Sequence, residues 1–130
     1  YMLPQLLTKY SPFFSSIIIG VVWTMWHLPL FFMTGSIQQE IPFHWYMLNT
    51  IALSIIFTVL SIRSRSVFLV MILHAGMNAI GNYVPLENGI PLLYPYFAIT
   101  TSLICIILLI INGNVHEFLF RQCEQKVLSI

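Results

Sequence analysis

Charge is nearly missing from this chain. Five Lys and Arg and four Asp and Glu, 7% of 130 residues, are all it has to wet a surface. A soluble domain carries about 25% charged residues, because its outside must be hydrated. Hydrophobic residues make up 58% instead, and the mean hydropathy is +0.89. The excess apolar surface must therefore face lipid. Cysteine is scarce too: Cys105 falls in an apolar block and Cys123 near the C-terminus, which speaks against a disulfide framework. A formal net charge of +1 offers no basic surface for nucleic acid. Strict apolar–polar alternation is also missing, which excludes a membrane barrel. No internal repeat, low-complexity run or second domain is visible, so the chain reads as a single transmembrane domain over residues 1–130.

What is present comes in blocks of spanning length. A helix rising about 1.5 Å per residue needs roughly 20 residues to cross the hydrocarbon. Four blocks free of Asp, Glu, Lys and Arg qualify: Pro12 to Met33, Phe43 to Ile62, Ser66 to Val84 and Leu92 to Asn112. The fold class expected is all-α, a polytopic membrane bundle of four transmembrane helices. Thr34 to Pro42, Arg63 to Arg65 and Pro85 to Pro91 punctuate as loops, with Pro and Gly marking turns. With four spans, Lys9, Arg63, Arg65, Arg121 and Lys126 all fall on one side, whereas the opposite loops carry only Glu40 and Glu87. The positive-inside rule places both termini in the cytoplasm of a cell membrane. Residues 113–130 form a cytoplasmic tail, whose Phe118, Leu119, Phe120, Arg121 and Lys126 suit either a surface helix or a frayed end.

Polar groups inside a bilayer are costly and demand an account. His27 and His74 lie in the first and third spans at similar depth, while His44 at a span edge and His116 in the tail have bland interfacial roles. Trp23 and His27 are spaced i, i+4 and share a face, which Gly20 and Ser16 extend as a step for close helix approach. His74, Asn78 and Asn82 form a second polar stripe, which must face protein or water. Interhelical hydrogen bonding and a functional site both account for it. Thr50, Ser54, Thr58 and Ser61 line the second span and read as a packing face, as do Thr100, Thr101 and Ser102 in the fourth. Phe13, Phe14, Trp45, Tyr46, Tyr94 and Tyr96 lie near span ends, as an interfacial belt would.

These residues resemble a known family. Trp23-Thr-Met-Trp-His27 matches the aromatic-x-x-x-His motif of the CPBP intramembrane proteases, the CAAX prenyl and bacteriocin-processing enzymes also called Abi. His74-Ala-Gly-Met-Asn78 matches their later His-x-x-x-Asn motif, with the one intervening span in the right place. Tyr1-Met2-Leu3-Pro4-Gln5-Leu6 resembles the stretch that follows the family's Glu-Glu-x-x-x-Arg motif. The resemblance covers Tyr1 to Val84, and it implies that the acidic motif lies directly upstream of Tyr1. No acidic residue within the chain replaces it: Glu40 and Glu87 belong to outer loops, Glu117 and Glu124 to the tail.

The resemblance implies an intramembrane endopeptidase in which an upstream glutamate activates water. His27, with Trp23 supporting, would assist that water or bind a metal, and His74 and Asn78 would stabilise the oxyanion. His27 and His74 with a glutamate suit a catalytic zinc site, and a metal-free glutamate mechanism fits the same residues. The substrate class implied is a peptide or prenylated protein. Two further readings stand beside this one. His27 and His74 also suit the axial ligands of a haem-binding membrane cytochrome, with Gly20 and Gly76 nearby. A non-catalytic immunity or scaffold member of the same family would keep the fold without the chemistry.

Overall fold

The computed structural model describes residues 2–83 and 90–111, and the surroundings of side chains within 2–79 and 93–110. Most of the third expected loop and the whole tail lie outside the described residues. All regular structure among the described residues is helical: α1 Met2–Leu7, α2 Pro12–His27, α3 Phe43–Ser64, α4 Val67–Tyr83 and α5 Ile90–Ile111. The helical membrane bundle expected from composition is what forms. Pro12–Phe32, Phe43–Ser64 and Leu93–Ile110 are long and apolar enough to cross a membrane, and a shorter apolar helix, Val67–Ala79, accompanies them.

Local chemistry sets the boundaries. Ser11 caps α2, its hydroxyl accepting from the Phe14 N–H at 3.3 Å, and Pro12 begins the helix where its missing N–H costs nothing. α2 gives way after His27 because Pro29 has no N–H to offer the Met25 carbonyl, which the Leu28 N–H takes instead. The chain tightens into a 3-10 turn over Leu28–Phe32, and a second one follows at Ile37–Glu40. Ser36 organises this connection. Its hydroxyl donates to the Leu30 carbonyl and accepts from the Gln39 N–H. The expected plain loop from Thr34 to Pro42 is thus partly structured. α3 ends on Arg65, whose N–H still bonds the Ser61 carbonyl at 2.9 Å and whose left-handed backbone (φ 51°) turns the chain out of the helix.

α3 is the hub, with α2 and α5 packed along it. α2 runs antiparallel to it, since the Ser54 hydroxyl donates to the Ser16 carbonyl at 2.8 Å while His27 meets Tyr46 further along. α5 runs parallel, with Tyr94 beside Asn49 and Cys105 beside Ala52 and Ile55. Small and hydroxylic residues fill the seams. Ser15, Ser16, Gly20 and Thr24 of α2 and Thr50, Ala52, Ser54 and Thr58 of α3 are all buried. Gly20 lets the two backbones come close: a Cβ there would lie 2.8 Å from the Ile51 Cα. The large apolar side chains point outward instead, Trp26, Phe32, Phe68 and Ile110 among them. Association in lipid rests on close packing and internal hydrogen bonds rather than on apolar burial, which this inversion reflects.

Candidate active site

His27 occupies the last position of α2, where the helix gives way to the 3-10 turn. Its Nδ1 lies 2.9 Å from the Trp23 carbonyl oxygen, one turn back. A carbonyl can only accept, so Nδ1 carries the hydrogen and Nε2 is the nitrogen left for another partner. Trp23 faces the same way. Its indole packs against His27 at 6.4 Å between ring centroids and edge-on against His74 of α4 at 5.0 Å. Phe57 of α3 closes the floor, 6.0 Å from Trp23 and 6.1 Å from His74. Residues from α2, α3 and α4 therefore meet around one indole, and the two histidines paired by sequence are its neighbours.

The other site residues are placed as follows. Asn78 lies one turn beyond His74 on α4 and is exposed. The side chain of Asn82 falls outside the described ones. His44 is exposed at the start of α3, beside the Trp45 ring. Among the described residues, no three His, Cys, Asp or Glu side chains come together as a metal cluster.

Sequence reasoning missed the wall on the far side of His27. Tyr46 packs on that histidine at 5.8 Å, Phe31 stands edge-on to Tyr46 at 5.2 Å, and Tyr94 of α5 stacks on Tyr46 at 6.3 Å. The Asn49 side chain donates its Nδ2 hydrogen to the Tyr94 hydroxyl at 3.1 Å. Nearness to span ends suggested an interfacial belt for Tyr46 and Tyr94, yet both turn inward. The signal was available: Tyr46 precedes Thr50 by four residues and so continues the hydroxyl stripe of α3. Phe14 and Tyr96, by contrast, are exposed, as a belt requires.

A helical membrane bundle holding an aromatic-x-x-x-His segment against a His-x-x-x-Asn segment defines the class. A family model described as type II CAAX prenyl endopeptidase Rce1-like matches residues 1–80, a stretch that takes in Trp23, His27, His74 and Asn78. CAAX prenyl protease 2 of Methanococcus maripaludis is 37% identical over 85 residues, covering 60% of this chain and 31% of that protein. The chain thus spans under a third of the curated relative it matches. No solved structure matches it significantly. The chain belongs to the Rce1-like family of type II CAAX prenyl endopeptidases.

Proposed function

We propose that the intact protein is an intramembrane endopeptidase that hydrolyses a peptide bond of a prenylated or otherwise membrane-anchored substrate. The observation that carries this reading is the meeting of His27 and His74 on Trp23, in a family whose described activity is prenyl endopeptidase. His27 offers Nε2 as an acceptor, suited to orienting a water that attacks the scissile carbonyl. His74 and Asn78, one turn apart on α4, offer donors for the oxyanion that develops. The water itself needs a stronger base, and the family resemblance assigns that role to a glutamate of the Glu-Glu-x-x-x-Arg motif. In a metallo variant the same glutamate would complete a zinc ligand set with His27 and His74, and metal content before and after chelation separates it from the glutamic variant. Both termini of residues 1–130 lie on the cytoplasmic side in this reading, by the distribution of Lys and Arg.

The deciding experiment uses the full-length protein, reconstituted and given a prenylated peptide. His74→Ala and Asn78→Ala should each lower hydrolysis about 10²–10³-fold, the usual cost of one oxyanion donor. Normal hydrolysis by Asn78→Ala removes that residue from the mechanism. The haem reading gains nothing from the structure, since both histidine rings pack on an indole. A Soret band lost in His74→Ala and kept in Asn78→Ala would revive it.

A further inference from the structure

α5 supplies none of the motif residues, yet it reaches the candidate site. The backbone hydrogen bond from His27 Nδ1 to Trp23 fixes which nitrogen carries hydrogen. Ring contacts settle the rest of its orientation, and the Trp23 indole at 6.4 Å is one of them. Tyr46 is the other, at 5.8 Å. Tyr46 is in turn backed by Tyr94, whose ring lies parallel to it within 14°. Tyr94 is held by its hydroxyl, which accepts from Asn49 Nδ2 at 3.1 Å.

Asn49 is the informative member. It is 5% exposed, and among the described residues its Oδ1 has no hydrogen-bond partner. A leucine would fill the same space without burying an unpaired oxygen, so the amide is the poorer choice for packing alone. What it adds is the bond to Tyr94. Asn49 also sits on the inward face of α3, less than one turn from Tyr46, so one rigid helix carries both ends of the arrangement.

We infer that Asn49 and Tyr94 are positioning residues for His27, acting through the ring of Tyr46. The kinetic consequence rests on the protease reading; the geometric one does not. A misplaced catalytic group loses rate rather than affinity, so kcat falls while KM holds.

The test again uses the full-length protein. Tyr46→Leu and Asn49→Leu should each lower kcat about tenfold or more with KM little changed, as expected when a catalytic group is misplaced. Tyr46→Phe, which keeps the ring, should recover most of the rate lost in Tyr46→Leu. The double variant Asn49→Leu/Tyr94→Phe removes both bonding partners, so it should regain the thermal stability lost in Asn49→Leu. It should not regain kcat, because nothing then holds the Tyr94 ring. A purely structural role predicts recovery of both, and that result overturns the inference. A second readout needs no activity: the ring resonance of labelled His27, assigned by its loss in His27→Gln, should move in Tyr46→Leu and in the double variant. If the intact wild type fails to hydrolyse peptide, the protease reading falls and this resonance still decides the positioning. An unmoved resonance in both variants overturns it.

Discussion

Gly20 shows how little room one residue leaves at the α2–α3 crossing. An added Cβ would meet Ile51 Cα at 2.8 Å, Ile51 Cγ1 at 3.1 Å and Ser54 Cβ at 3.3 Å. The nearest of these is backbone, so the two helices must part rather than a side chain turn aside. Gly20→Ala should destabilise the folded protein by about 1–3 kcal/mol, the usual range for overpacking. Gly76 on α4 makes the control, with no packing neighbour among the described residues within 4 Å of its Cβ position. Gly76→Ala should leave stability unchanged or slightly raised, since alanine favours helix. Thermal unfolding in detergent reads both, and equal losses would show that the tight crossing is not what matters. Separation of α2 from α3 would also carry Trp23 and His27 away from Phe57 and Tyr46, so activity should fall with stability at Gly20.

Among the elements, α2, α3 and α5 were legible because each announces itself by length and lack of charge. The packing face of α3 was legible as well. Thr50, Ser54 and Thr58 recur every four residues, and all three are buried with the face turned to α2 and α5. The end of α2 was harder to read: apolar residues continue to Met33, but Pro29 converts the last turns to a 3-10 path that hydropathy does not register. The short α1, over Met2–Leu7, was hidden because six residues with a proline carry no periodicity to count. The pairing of His27 with His74 followed from depth, yet the role of α5 in backing His27 did not. That role depends on which way two tyrosines turn, and a period of 3.6 fixes this only once the partner helix is known. α5 holds to α3 through Ala98, Thr101 and Cys105, which are buried while Ile99 is exposed. Ala98→Leu should therefore loosen α5 and cost about 1–3 kcal/mol, whereas Ile99→Leu should be neutral. Limited proteolysis or unfolding of the two variants side by side tests this, and equal behaviour would mean that α5 is rotated from the position given.

At the scale of the whole molecule, charge and helix direction give one answer. α2 and α3 are antiparallel, so Lys9, before α2, and Arg63 and Arg65, at the end of α3, lie at the same end of the bundle. Glu40, in the connection between the two helices, lies at the other. Each Lys or Arg held at the helix centre during insertion costs about 2.5–3.5 kcal/mol, and short basic loops are retained in the cytoplasm. Reversing the bundle would require the Arg63–Arg65 turn to be translocated, with only Glu40 kept inside among the described loops. The expected orientation is the Lys9 and Arg65 end inside, and cysteine labelling in intact cells checks it. With Cys105 and Cys123 replaced by Ser, Gln38→Cys should react with an impermeant maleimide added outside. Ser64→Cys should react only after the cells are opened. Labelling of Ser64→Cys from outside would reverse the bundle and place the His27 end on the cytoplasmic side. The peptide substrate would then approach that end from the cytoplasm, and the kinetic variants of Tyr46 and Asn49 would have to be assayed with substrate supplied from that face.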